Sequence, residues 1–216
     1  MLLYSYYRSS TSYRARIALG LKGLGYDYAN VDLRMGAQTG DTFTAINPHQ
    51  TVPALVAGEE TLTQSLAIID WLELNHPSPS FVPSDMKAAQ MCRELYYAIA
   101  TELHAPLNLY VLKYLRSEFG ADETVIKKWY QDFVHRTFKP VEERLSTFEW
   151  ASDGLPFGSP GLFEIVLIPQ VYNSERWEVD LTPFPLIKTI DQHCAGLPAF
   201  QKAHPDNQPD SPEYKS

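Results

Sequence analysis

Apolar residues recur along this chain in two successive rhythms. Leu2 to Tyr6 is a short apolar and aromatic run that predicts a strand. Ile17, Leu21 and Leu24 then follow at helical spacing with Ala18 beside them, while Arg14, Arg16 and Lys22 lie on the other faces of that helix. The Gly23 to Gly25 region breaks it, and Tyr26 to Asp32 alternates enough to predict a second strand, which completes a βαβ unit. Gly36 to Asp41 reads as a polar loop, and Asp41 to Ile46 as one or two helical turns stopped by Asn47-Pro48. Val52 to Ala57, a turn at Gly58-Glu59-Glu60, and Thr61 to Thr63 predict a hairpin. Ser65 to Glu73 is a strong amphipathic helix ending near Asn75-His76, and the segment from Pro77 to Pro83 cannot continue it.

Beyond Ser84 the period is helical only. Leu95, Ile99 and Leu103 are followed by Leu107, Val111 and Leu115, then by Val125, Trp129 and Phe133, then by Val141, Leu145 and Phe148. Gly161 to Val171 predicts a buried helix interrupted or ended by Pro169. The fold class is therefore α/β plus all-α: a first domain over residues 1–80 and an all-helical domain over residues 85–205. The tail, residues 206–216, is rich in proline and small polar residues and is expected to be disordered.

Composition narrows the function. A chain of 216 residues with 44% hydrophobic and 12% aromatic content is globular. No stretch of eighteen apolar residues occurs, and Met1-Leu2-Leu3 runs into the first strand without a charged leader, so a cytoplasmic location is expected and membrane crossing is not. A net charge of −8 argues against nucleic acid and anionic membranes as partners. Cys92 and Cys194 are expected to be free thiols, and the six histidines show no metal-ligand spacing.

The chemistry concentrates at Ser9-Ser10-Thr11, where three hydroxyls meet the start of the first helix. Unpaired amides and the positive end of the helix dipole favour an anion there, and a hydroxyl adds a donor. A plain serine N-cap accounts for the same residues. Val52-Pro53 stands where an extended loop becomes a strand. A cis bond there would let Val52 offer its backbone to a peptide laid alongside, whereas a trans proline opening an edge strand is the plain alternative. Gln64-Ser65 opens the next helix as a second anion site. Two helix starts and one edge loop suit a ligand with a thiolate at one end and a carboxylate at the other, and glutathione is such a ligand.

These stretches carry a resemblance. Arg8 to Leu19, Asn47-Pro48 before Val52-Pro53-Ala54-Leu55, Gln64 to Ile69, and Asp180 to Pro185 resemble the zeta class of glutathione transferases, the family of maleylacetoacetate and maleylpyruvate isomerases, over nearly the whole chain. The resemblance implies an N-terminal thioredoxin-like domain that binds glutathione, a C-terminal helical-bundle domain that supplies the substrate pocket, and a homodimer. It implies glutathione-dependent cis–trans isomerisation of a maleyl keto acid in aromatic catabolism. Conjugation or dehalogenation of small electrophiles is the alternative, and a non-catalytic thioredoxin-like interaction module a lesser one. Ser9, Ser10 and Thr11 would be catalytic. Val52, Pro53, Gln64 and Ser65 would join them in holding glutathione, with His104, Asn108, Leu109 and Tyr110 from the second domain. Arg8, His104 and Arg176 would take a dicarboxylate substrate. Thr11 and Tyr13 replace the usual cysteine and tryptophan, so no protein thiol takes part. Gly161 and Glu164 replace the family's Thr or Ser and Asp, which predicts a weakened capping box at the buried helix.

Overall fold

The computed structural model describes residues 1–152 and 154–214. It divides into two compact units, Met1–Ser80 with Ala195–Ser216, and Phe81–Cys194.

The first unit is built on a four-stranded mixed sheet in the order β2-β1-β3-β4. Strands β1 (Leu2–Ser5) and β2 (Asp27–Asn30) are parallel and joined by helix α1 (Ser10–Leu21), the expected βαβ unit. A short helix α2 (Asp41–Thr44) precedes the hairpin of β3 (Ala54–Ala57) and β4 (Glu60–Thr63), and helix α3 (Ser65–Asn75) follows it. Strand β3 runs antiparallel to β1 with Leu55 opposite Leu3, both fully buried. The core continues through Ile17, Ala18 and Leu19 of α1 and through Ile68, Ile69 and Leu72 of α3.

Arg14, Arg16 and Lys22, placed by periodicity on the other faces of α1, away from its apolar stripe, are all buried. Each of the last two ends on backbone oxygen, which is how a charged side chain becomes tolerable inside. Lys22 Nζ donates to Glu73 at 2.7 Å and to the Pro79 carbonyl at 2.6 Å, tying α1 to the end of α3. The tail also departs from the expectation of disorder. Helix α9 (Pro198–Ala203) packs on α1, with Ala199 against Gly20, where an added Cβ would stand 3.2 Å from the alanine methyl. A 3₁₀ turn over Pro205–Asn207 follows, and Gln208 folds back to donate to the Lys202 and His204 carbonyls, both at 2.8 Å. Prolines that forbid a long helix thus shape a compact turn whose polar groups are satisfied internally. Residues 195–214 thereby belong with the first unit, whereas the sequence set 85–205 as one helical domain. Lys215 and Ser216 lie outside the described residues.

The second unit is helical: α4 (Met86–Tyr97), α5 (Leu109–Phe119), α6 (Glu123–Ser146), α7 (Leu162–Arg176) and α8 (Pro185–Ala195). Helix α4 runs into a π-helical turn over Ala98–Leu103, then a 3₁₀ turn over Ala105–Leu107. The carboxylate of Glu142 in α6 accepts from the amides of Leu186 and Ile187 at 2.6 and 3.0 Å, which caps α8 from a neighbouring helix. Helix α7 is the centre of the core. Eleven of its fifteen residues, Pro169 included, are buried, and it runs seven residues beyond that proline. Packing on every side holds the helix together where one internal hydrogen bond is missing.

The start of α7 explains its departure from the usual cap. Gly161 has no side chain to offer, so only half of a capping box remains, with the Gly161 amide donating to Glu164 Oε2 at 2.8 Å. A Cβ at Gly161 would sit 2.2 Å from the carbonyl oxygen of Phe81, which accepts from the Leu162 amide at 3.0 Å. The backbone of Phe81 occupies the space a serine or threonine cap would need. Cys92 and Cys194 are both buried free thiols.

Candidate functional site

In the first unit the three hydroxyls sit at the turn where β1 gives way to α1. Ser9 is the N-cap in extended conformation, and its Oγ accepts from the Ser12 amide at 3.2 Å, so the plain capping role is present. Thr11 Oγ1 donates to the Val52 carbonyl at 2.8 Å and lies 2.9 Å from Ser9 Oγ. A carbonyl only accepts, so the single hydroxyl proton of Thr11 goes to Val52, and Ser9 is the donor in the Ser9–Thr11 bond. Ser10 opens the helix and is 9% exposed. No acidic residue occupies the first turn of α1, which leaves the positive end of the helix uncompensated from within.

The Val52–Pro53 peptide bond is cis. It precedes β3, an inner strand of the sheet, not an edge strand. The register pairs Ala54 with Thr63, so Pro53 and Gln64 are the next residues out on the two arms of one hairpin. Gln64 caps α3 with φ 69° and ψ 117°, a left-handed-side conformation rare for a residue with a side chain. Its side chain makes no cap bond, and the first turn of α3 also carries no acid. Ser65, buried, is the first helical residue. The loop Ser9–Thr11, Val52–Pro53 and Gln64–Ser65 are thus brought together in one unit by Thr11 and by the hairpin. Arg8 lies beside them in sequence with its guanidinium 5.7 Å from the Tyr7 ring.

The other expected residues belong to the second unit. His104 follows the π-helical turn, its amide bonded to the Ile99 carbonyl at 3.2 Å, and its Nδ1 lies 3.4 Å from Nε2 of the buried Gln170. Asn108 has a structural role as the N-cap of α5, where it accepts from the Val111 amide at 2.9 Å. Leu109 and Tyr110 are exposed, and Tyr110 stacks on Tyr114 with ring centroids 6.3 Å apart. Arg176 stands at the C-terminal end of α7, exposed, with its guanidinium 5.9 Å from the Tyr172 ring and Nη1 3.3 Å from Asn173 Oδ1.

Sequence reasoning overlooked Arg16 and Asp210. From α1, Arg16 Nη1 donates to Ser5 Oγ at 3.1 Å, and Nη2 to the Tyr7 carbonyl at 2.9 Å. Asp210 accepts from the Tyr7 amide at 3.0 Å. An arginine within an otherwise helical apolar pattern carries no sign of burial, and a carboxylate 203 positions away carries none of contact. No local signal could have found them.

Residues 3–80 match the family model of the glutathione S-transferase N-terminal domain. A maleylpyruvate isomerase from Ralstonia sp. is 42% identical over 212 residues, which span 98% of this chain and 100% of the relative. Among solved structures, the holo form of a maleylpyruvate isomerase, a bacterial zeta-class glutathione S-transferase, superposes with a TM-score of 0.95 at 42% identity, covering 98% and 100% of the two chains. A maleylacetoacetate isomerase from Methylobacterium extorquens AM1, with bound malonate and glutathione, superposes with a TM-score of 0.92 at 30% identity and covers 98% of this chain and 100% of that one. The chain belongs to the zeta class of glutathione S-transferases, the family of the maleylacetoacetate and maleylpyruvate isomerases.

Proposed function

We propose that this chain is a glutathione-dependent isomerase that converts a maleyl keto acid to its fumaryl isomer, maleylacetoacetate or maleylpyruvate being the substrate. The observation that carries the reading is the hydroxyl network at the acid-free start of α1, tied by Thr11 to Val52. The donor set fits glutathione. The α1 start suits its sulfur, Val52 with Pro53 its peptide backbone, and the α3 start, left uncapped by the Gln64 side chain, its γ-glutamyl carboxylate. When bound, glutathione supplies a thiolate that adds reversibly to the cis double bond of the acid and so allows rotation about it.

We assign the donor to sulfur to Ser10, the first residue of α1, while the Ser9 and Thr11 hydroxyls bond to one another and to Val52. Ser9 and Thr11 hold the turn on which Ser10 is presented. A free thiol with a pKa of ~8.5 is mostly protonated at neutral pH, and the hydroxyl, the α1 amides and the helix dipole all favour its ionised form. Arg8, His104 and Arg176 are the proposed partners of the substrate carboxylates, and Asn108, Leu109 and Tyr110 further glutathione contacts. The side-chain amide of Gln170 lies 3.4 Å from Nδ1 of His104 and helps to orient the ring. A homodimer located in the cytoplasm and serving aromatic catabolism completes the reading. Side-by-side absorbance assays with maleylacetoacetate and maleylpyruvate test it: turnover of at least one should require glutathione and leave the glutathione pool unchanged. Stoichiometric consumption of glutathione would instead identify a conjugating enzyme, and absence of turnover on both acids overturns the isomerase.

A further inference from the structure

The four residues between β1 and α1 are gripped from behind by the C-terminal segment. Tyr7 is held at both of its backbone polar groups, its carbonyl by Arg16 Nη2 at 2.9 Å and its amide by Asp210 Oδ2 at 3.0 Å. Asp210 is itself fixed by the Tyr28 hydroxyl, which donates to Oδ1 at 2.6 Å from strand β2. Arg16 also donates through Nε to the carbonyl of Ala203 at 3.0 Å, so the same guanidinium joins the loop to the end of α9. The Ser9 amide closes the turn on the Tyr6 carbonyl at 3.0 Å. All of these groups belong to the first compact unit.

We propose that Asp210 is a positioning residue for the thiolate site, holding the Tyr7 backbone so that Ser9 and Ser10 are presented in a fixed geometry, and that the C-terminal segment is thereby a working part of the first unit. The inference rests on the glutathione reading above. Fixing one residue's backbone opposes its conformational entropy, and a donor stabilises charge well only when it needs no rearrangement at the moment of reaction. A carboxylate bound two residues before the Ser9 cap does that work at a cost. Its negative charge lies near a site meant to favour an anion, and the buried guanidinium of Arg16 offsets it.

That cost gives the test a sign. If Asp210 acted only through its charge, removing it would make the bound thiol more acidic. If it acts by holding the loop, Asp210→Ala makes the bound thiol less acidic, by about one unit, a loss of thiolate that reaches tenfold at pH values below the bound thiol's pKa. The kcat of Asp210→Ala should then fall by up to tenfold on the acid side of the profile and recover toward wild type at high pH, whereas a fold-wide defect would not recover. Asp210→Asn keeps an acceptor and should lie between the two. In the protein without glutathione, amide hydrogen exchange over residues 6–10 should quicken in Asp210→Ala and, to a smaller degree, in Tyr28→Phe. The latter keeps the carboxylate and serves should the alanine variant not fold. Ultraviolet titration of glutathione bound to the wild type separates the two claims. A wild-type thiol as weakly acidic as in buffer overturns the glutathione reading itself. A lowered wild-type value with Asp210→Ala (or Tyr28→Phe in its place) superimposable in titration and exchange overturns the role of Asp210.

Discussion

At the scale of single residues, the most consequential buried charge outside the site is Glu164. It is fully buried, and Oε1 has no hydrogen-bond partner among the described residues. Burial pushes its carboxyl up to about 7, with the Gly161 amide pulling the other way. A folded-state value above the unfolded value of 4.5 means that the native state binds the proton more tightly, so the associated stability is complete below pH 4.5 and is lost as pH rises through 7. The loss amounts to about 3 kcal/mol at most. Burial also pushes Asp191 up to about 6, which adds to the same trend. Urea unfolding at constant protein concentration should therefore show wild type losing stability between pH 5 and 8 more steeply than Glu164→Gln, and parallel curves would exclude Glu164 as the cause. Ser10 supplies the second prediction at this scale. Folded Ser10→Ala protein, checked by its melting curve, should lose tenfold or more in turnover, a loss of one charge-assisted hydrogen bond; an unchanged isomerase rate would remove Ser10 from the mechanism.

At the scale of elements, helix starts decide both the fold and the site, and they differ in how far sequence reveals them. The hydroxyl run before Ile17 and the Gln64-Ser65 pair before an apolar helix are local patterns, and β1, α1, the hairpin and α3 lie where hydrophobic spacing put them. Ser9 as the cap of α1 was legible for the same reason. Three features were not. Lys22 and Arg16 look solvent-facing because their partners are the Pro79 and Ala203 carbonyls, and backbone oxygens leave no trace in sequence. Helix α7 passes Pro169 because tertiary burial outweighs a local penalty of roughly 3 kcal/mol. The tail orders because Gln208 folds back onto the Lys202 carbonyl and Asp210 finds the Tyr7 amide on another segment. The start of α7 carries a prediction of its own. Gly161→Ser restores the usual cap residue yet brings a Cβ onto the Phe81 carbonyl, so it should destabilise by about 1–3 kcal/mol instead of stabilising. Chemical denaturation of Gly161→Ser and Gly161→Ala should show both below wild type, and a stabilised serine variant would mean that the Phe81 segment yields easily.

At the scale of the whole molecule, an acidic chain is proposed to turn over an acidic substrate. The net charge of −8 repels a dianion at long range, but over more than about 10 Å that repulsion is largely screened at 0.1 M salt. Capture must then depend on cations at short range, and this gives Arg176 a role separable from general stability. It is exposed at the end of α7 and leans on Tyr172 and Asn173, uncharged neighbours that help to fix its place. An exposed charge contributes modestly, so Arg176→Ala should raise KM for the maleyl acids by roughly two- to fivefold and leave kcat nearly unchanged. A neutral acceptor such as a chloronitrobenzene, which presents no carboxylate, should be conjugated as by wild type. Salt separates the long-range from the short-range effect. Raising ionic strength should relieve the repulsion felt by both proteins but weaken the anchor only in wild type, so the KM ratio between variant and wild type should shrink. Equal losses on the diacid and the neutral acceptor, or a ratio indifferent to salt, would show that Arg176 serves α7 and not the substrate.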